Sequence, residues 1–280
     1  MTTVGILHQP RIPESEPMAA AIHAWLTNQG IEAWAGSTWD EDGVNGNMER
    51  FSLLIVLGGD GSTLRAARLS VPYKVPIFGI NMGRVGFLSE AQLDNWQEKL
   101  AKVLRGEYWL EQRLMLQARL ERDGRIINTL TALNDVVVSR GRQARMLHLH
   151  LYVDGDHVTL YTADALIVAT PTGSTAYSMA AGGPLLPPQL QNFVVVPVAA
   201  HLSLDRALVL HEEAEITIRV QMDHEAALIA DGQDGISLLD GDKVIVKKHD
   251  HYCSFVRVES AGYFYRRLMR RLGHARQQTD

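Results

Sequence analysis

The segment Phe51–Leu57 is an apolar run cut off sharply by Gly58-Gly59. A strand with one wet face alternates apolar and polar residues; one apolar throughout is covered on both faces, as in a parallel sheet flanked by helices. The neighbouring segments agree with that reading. Val4–Leu7 is a short apolar strand, and Glu16–Gln29 is a helical stretch with Met18, Ala21, Ile22, Trp25 and Leu26 on one side. The acidic, glycine-containing segment Glu41–Gly46 reads as a loop. A short helix over Ser62–Leu69 and a second buried strand over Val75–Ile80, ended by the polar turn at Asn81, follow the glycine pair. Strand, turn, helix and strand in this order predict an open α/β sheet, with ligands at the carboxyl ends of its strands.

The pattern changes after the helical segment Asn95–Leu104. Short strands with turn signals between them run from Leu114–Glu121, closed by Asp123-Gly124, through Ile126–Ala132 and Met146–Val153, closed by Asp154-Gly155. Leu166–Ala169, Phe193–Val198, Glu215–Val220, Ala227–Ala230, Lys243–Lys247 and Cys253–Val258 continue the series. Strands of this length and spacing predict a β-rich, sandwich-like domain. The resulting division is an α/β domain over 1–106, a β-rich domain over 107–260, and a C-terminal helix over 261–280 that packs back on the first domain. Tyr263–Arg271 then reads as a solvated helix face.

Composition narrows the function. With 280 residues and 46% hydrophobic content the chain can bury a large core, and 21% charged residues suit a globular protein. The formal net charge is -5 and no long Lys/Arg block appears, which argues against nucleic acid as a partner. No apolar run approaches membrane-spanning length, so no membrane association is expected. The single cysteine, Cys253, rules out an internal disulfide. Without a basic and apolar leader at the N-terminus, the expected compartment is the cytoplasm.

Two constellations carry chemistry. In Gly58-Gly59-Asp60-Gly61-Ser62 the glycines let backbone amides approach a phosphate, and the helix start supplies unpaired N–H groups. Ser62 is a candidate N-cap. An Asp would repel the anion, so Asp60 is expected to accept a hydroxyl proton or help hold a metal ion; the plain alternative is a capping turn. The second constellation runs Thr170-Pro171-Thr172-Gly173-Ser174-Thr175-Ala176-Tyr177-Ser178, then Gly182-Gly183-Pro184. Its small hydroxyls suit a polar cleft, its amides phosphate oxygens, and Tyr177 an aromatic platform. Asn134-Asp135 pairs an amide with a carboxylate, which suits a ribose diol or an adenine edge. Read alone, that pair and Asp231-Gly232-Gln233 are ordinary turns, and His201 is a phosphate ligand or a cap.

Together these residues resemble the NAD kinase family. The match begins at Gly58–Ser62 and continues through Gly79-Ile80-Asn81, Gly83 and Gly86-Phe87-Leu88. It resumes at Leu133-Asn134-Asp135 and is most specific at Asp164 with Thr170–Ser178 and Ala181–Pro184; Pro197, His201, Arg206 and Asp231-Gly232-Gln233 follow. The resemblance implies an α/β domain, a β-rich domain and a site between them. It implies transfer of the γ-phosphoryl group of ATP to the adenosine 2′-hydroxyl of NAD, with Mg²⁺ or another divalent metal, in a homodimer or homotetramer. Asp60 is then the catalytic carboxylate. Gly59, Gly61, Ser62, Asn81, Asn134, Asp135, Asp164, Thr175, Ala176, Tyr177, Ser178, His201 and Gln233 are expected to bind the nucleotides, Asp164 across a subunit interface; no metal ligands are assigned. Departures from the family pattern are Ser62 for Thr, Asp135 for Glu, Ala165 for Gly, Ala207 for Pro, and the lack of a hydroxyl residue beside His201.

Two other readings compete. A diacylglycerol- or sphingoid-type lipid kinase resembles the chain in overall fold and in the Gly58–Gly61 turn, but needs an apolar channel where Tyr161–Ser178 offers hydroxyls. A non-catalytic dinucleotide-binding protein needs the same cleft without Asp60.

Overall fold

In the computed structural model, strands Thr3–His8, Ala33–Ser37, Phe51–Gly58 and Ile77–Asn81 form a parallel sheet. The structure describes residues 3–83, 86–141, 145–201, 205–233 and 235–269. Across the sheet the order is Ala33–Ser37, Thr3–His8, Phe51–Gly58, Ile77–Asn81, Cys253–Arg257 and Trp109–Arg113, and the two-residue strand Ala91–Gln92 also pairs with Ile77–Asn81. The helix Ser15–Asn28 buries Ala19, Ile22 and Leu26 against Ile6, Ile55 and Ile80. Covering helices are why Phe51–Gly58 shows almost no alternation. The chain goes outward from Thr3–His8 to Ala33–Ser37 and then crosses back to Phe51–Gly58. That reversal sits where the first and third strands lie side by side, the switch point at which an open α/β sheet places its ligand.

Several local expectations differ from the structure, which also holds strands at Trp109–Arg113, Asp135–Arg140, Asp156–Ala163, Leu208–His211 and Ile236–Leu238 that the sequence reading does not include. Glu41–Asn45 is a short helix and not a loop, because Asp40 accepts a hydrogen bond from Gly43 N at 3.1 Å and Glu41 and Asp42 occupy the electropositive first turn. The strand Ala33–Ser37 carries no periodic signal and was not anticipated. The helix after the glycine pair starts earlier, spanning Asp60–Ser70 with Gly59 at the N-cap. Ser62 therefore lies inside the first turn, where its buried hydroxyl accepts from Gln9 Nε2 at 3.2 Å.

The chain separates into one unit formed by Met1–Gln112 with Cys253–Asp280 and a second formed by Arg113–Tyr252. Residues 253–260, assigned from sequence to the β-rich domain, fall in the first unit because Cys253–Arg257 pairs parallel with Ile77–Asn81; an apolar five-residue strand does not reveal its partner. Of the expected C-terminal helix, 263–269 is helical. Its Tyr263, Phe264 and Leu268 pack on Phe87, while 270–280 lies outside the described residues.

The second unit contains two six-stranded antiparallel sheets. One runs Asp156–Ala163, Leu147–Val153, Ile216–Gln221, Lys243–Lys248, Leu116–Arg122 and Arg125–Ala132; the other runs Leu208–His211, Asn192–Val198, Ala165–Ala169, Asp135–Arg140, Ala226–Ala230 and Ile236–Leu238. Leu116, Leu120, Leu149 and Ile218 of the first sheet meet Val136, Val168, Phe193 and Leu228 of the second. On its other face the second sheet packs Val137, Ile167 and Val194 against Leu186, so its central strands are apolar throughout while the first sheet alternates. Asp123-Gly124 and Asp154-Gly155 hold positive φ at both positions, the two-residue turn that suits twisted strands. Among the described residues no helix is long and apolar enough to cross a membrane.

Candidate functional site

In the first unit the glycine turn lies at the carboxyl end of Phe51–Gly58. Gly58 takes φ 147°, and a Cβ there would lie 2.3 Å from Ser62 Oγ, so the approach of strand to helix requires glycine. Gly59 and Gly61 have nothing within 4 Å of a would-be Cβ, so no neighbouring group crowds the side-chain positions of this turn. Asp60 opens the helix. Its carboxylate accepts hydrogen bonds from Phe87 N and Leu88 N, both at 3.1 Å, and Gly86 passes so close that a Cβ would stand 2.1 Å from Asp60 Oδ1. The carboxylate is thus oriented by a second loop. A carboxylate has about four acceptor directions, so two amide bonds leave capacity for a hydroxyl. Asn81 is buried at the neighbouring strand end, with Nδ2 donating to Gly83 O at 2.8 Å.

In the second unit three turns converge. Thr170 ends the strand Ala165–Ala169, donates from Oγ1 to Leu133 O at 2.6 Å, and donates from N to Asn134 O at 2.9 Å. Gly173 lies flat against Asn134, where a Cβ would stand 2.0 Å from the carbonyl oxygen. From the third turn, Asp231 accepts from Leu133 N, Asn134 N and Asp135 N at 3.0, 2.7 and 3.3 Å. One carboxylate therefore gathers three amides and fixes the Asn134-Asp135 pair. Asp231 was read from sequence as part of a turn; its grip on 133–135 is a long-range contact that no local pattern carries.

Several hydroxyls expected to line a cleft are engaged in holding the turn. Ser174 donates to Pro171 O at 2.7 Å, Thr175 to Thr172 O at 3.1 Å, and Arg113 Nη1 reaches Thr172 Oγ1 at 2.9 Å. Thr175 is buried, and Ala176 links its turn to the short helix Tyr177–Ala180. Ser178 is buried with an Oγ that has no partner among the described residues. Tyr177 is 45% exposed, so its ring is available for stacking and is no core anchor.

Asp135 stands out electrostatically. It is 5% exposed, and burial, followed by the nearby charge of Asp231, pushes its pKa up to about 7. Beside it, Asn134 is half-buried, and its side-chain amide has no hydrogen bond among the described residues. A carboxyl and an amide side by side are groups that a pair of hydroxyls can bridge.

Asp164 and His201 lie elsewhere. Asp164 precedes the strand that Thr170 follows, so the two residues are separated by about 20 Å of extended chain. Arg140 Nε pairs with Asp164 at 2.8 Å, and His201 N donates to Thr162 O at this same end. Gln233 closes the third turn through its backbone N to Ala230 O at 3.1 Å. Residues 202–204, beside His201, lie outside the described residues.

Comparison with known proteins adds an independent line. Residues 12–108 match the family model described as ATP-NAD kinase N-terminal domain, and residues 133–258 match ATP-NAD kinase C-terminal domain. A protein named NAD kinase from Chloroflexus aurantiacus is 37% identical over 269 residues, spanning 96% of this chain and 98% of its own. The crystal structure of an NAD kinase from Archaeoglobus fulgidus in complex with ATP superposes with a TM-score of 0.75 at 27% identity, over 93% of this chain and 95% of that one. Yeast NADH kinase complexed with NADH shares the fold at a TM-score of 0.83 and 24% identity, over 98% of this chain and 88% of that one. The lipid-kinase and non-catalytic alternatives gain no support from these matches.

Proposed function

Because the chain belongs to the NAD kinase family, we propose that it transfers the γ-phosphoryl group of ATP to the adenosine 2′-hydroxyl of NAD, giving NADP. The observation that carries this reading is the Asn134-Asp135 pair, an amide and a buried carboxyl presented side by side by Asp231. Hydroxyls of a ribose satisfy both groups, and the exposed ring of Tyr177 offers a face to an attached base.

Asp60 is assigned the chemistry. Held by Phe87 N and Leu88 N, it presents its remaining lone pairs in a fixed direction, so that it orients the acceptor hydroxyl and takes its proton as the bond to the γ-phosphorus forms and the bond from that phosphorus to the bridging oxygen of the departing ADP breaks. The uncrowded turn at Gly59 and Gly61 suits donor phosphate oxygens. Among the described residues no group of three His, Cys, Asp or Glu could hold a metal ion. The divalent metal implied by the family resemblance, such as Mg²⁺, keeps its waters and is carried by substrate phosphates with one or two carboxylates; Asp60 is the carboxylate that would assist. When bound, the ion neutralises charge on the phosphoryl oxygens.

Asp164 supports an assembled enzyme. The family resemblance gives Asp164 a contact with a neighbouring subunit's ligand, and its place about 20 Å along its strand from the Thr170 end is compatible with that role. On the family resemblance we assign a homodimer or homotetramer, and on composition a place in the cytoplasm. Incubation with ATP, Mg²⁺ and NAD, followed by mass detection of NADP, tests the reaction. NAD binding without NADP formation would replace this reading with a dinucleotide sensor, and full activity from a monomer in light scattering would end the role given to Asp164.

A further inference from the structure

Trp39 is a large aromatic side chain left 45% exposed, just beyond the strand Ala33–Ser37. The guanidinium carbons of Arg11 and Arg65 lie 4.3 and 4.7 Å from its ring centroid, within the range of a cation–π contact. Its indole Nε1 donates to Gln9 Oε1 at 2.9 Å, and Gln9 Nε2 donates to Ser62 Oγ at 3.2 Å. Gln9 therefore ties the indole to the first turn of the Asp60–Ser70 helix. Arg65 follows Ser62 by three residues, on the same face of that helix.

The location adds to the argument. Gln9, Arg11 and Trp39 follow the carboxyl ends of Thr3–His8 and Ala33–Ser37, and Ser62 follows that of Phe51–Gly58. This is the switch point where the strand order reverses, the place where an open α/β sheet takes its ligand. Thr38, fully buried beside Trp39, keeps an Oγ1 without a partner among the described residues. Arg11 is exposed and has no carboxylate partner among the described residues, while Arg65 is paired with Glu41 at 2.8 Å.

We propose that Arg11, Trp39 and Arg65 form the subsite for a nucleoside triphosphate, the phosphoryl donor, with Gln9 coupling it to the glycine turn. The inference rests on the phosphotransfer reading above and extends it to the donor. The indole and the guanidinium planes stack on a nucleobase, and the two positive charges meet the phosphate chain. The groups assigned to the acceptor, Asn134, Asp135 and Tyr177, belong to the other unit, so the two substrates separate by residue. Glu41 competes with the phosphates for Arg65; its side chain is 51% exposed and free to swing into water.

The test is calorimetric titration of the intact protein with a non-hydrolysable ATP analogue and Mg²⁺, and separately with inorganic tripolyphosphate. In parallel, KM is measured for ATP and for NAD. Trp39→Ala is expected to weaken the analogue on the order of tenfold, as loss of a stacked base does, and to leave tripolyphosphate within about twofold. Arg11→Gln should weaken both ligands, and Glu41→Gln should tighten both by a few-fold, with KM for NAD moved by neither. Trp39→Phe, which keeps a ring, should retain most of the analogue's affinity. If Trp39→Ala misfolds, the two exposed charge variants still carry the test. Analogue affinity unchanged in Arg11→Gln and Glu41→Gln, or equal changes in the two KM values, would overturn the subsite. Formation of NADP with unchanged analogue affinities refutes the subsite alone; affinities that shift as expected without NADP refute the kinase reading alone.

Discussion

Replacing Asp135 by Asn exchanges a titrating carboxyl for a neutral group of the same shape, in a position 5% exposed and beside Asp231. Burial raises the Asp135 pKa from an ordinary 3.8 to about 7. Between those values the folded chain keeps a proton that the unfolded chain has released, so the native state binds more protons and stability falls as pH rises. Below about pH 4 both states are protonated and Asp135 adds no pH dependence. Above about pH 7 the full penalty is present, and a shift of roughly three units corresponds to about 4 kcal/mol. Asn never ionises, so Asp135→Asn should unfold like the parent at pH 4 and be more stable by up to about 4 kcal/mol at pH 8. Urea unfolding at pH 4, 6 and 8, followed by a probe in the second unit, reads the difference between the two proteins and so cancels every carboxyl except Asp231, whose charge acts on Asp135. Parallel stability curves, with no gain at pH 8, would show that Asp135 is stably ionised in the fold and would refute the reasoning.

Binding of NAD to the same group should release protons near pH 6.5, because a ribose hydroxyl donating to Asp135 favours its ionised form; calorimetry in buffers of different ionisation enthalpy measures this. Asp60→Asn keeps one acceptor oxygen for two amides, so a thermal melt should show a loss of about 1–3 kcal/mol. Its turnover should fall roughly 10²–10⁴-fold, and turnover within a few-fold of the parent would move the base elsewhere. Tyr177→Ala should weaken NAD binding while Tyr177→Phe largely preserves it; equal loss in both would make the hydroxyl the contact. Gly173→Ala places a Cβ 2.0 Å from the Asn134 carbonyl oxygen and should destabilise the second unit by about 3 kcal/mol in denaturant unfolding.

What the sequence revealed and what it hid follow the reach of each interaction. Phe51–Gly58 and the turns at Asp123-Gly124 and Asp154-Gly155 were legible because burial on two faces and positive φ leave marks within a few residues. The turn around Asp60 was legible from its glycines, and those around Asn134 and Thr170 from their polar composition. Hidden were contacts that join distant residues: Asp231 to 133–135, Phe87 and Leu88 to Asp60, and Gln9 to Ser62. The hydroxyls of 170–175 misled locally, since a threonine bonding its own turn and one facing a ligand look alike in sequence.

The late return of the chain to its first sheet bears on how the protein is made. Cys253–Arg257 sits between Ile77–Asn81 and Trp109–Arg113, yet all of Arg113–Tyr252 is translated first. At ~5–20 residues per second this leaves on the order of ten seconds in which the sheet lacks an inner strand. During that interval Glu90 and Glu111, each at most 2% exposed when folded, await the fully buried guanidinium of Arg257 that joins them. Without Arg257, Glu111 lacks the guanidinium that pairs with it and Glu90, among the described residues already translated, keeps only Lys99 at 3.9 Å, so burying the two carboxylates is costly until that residue arrives. Completion of the polypeptide is written into the fold as a missing charge.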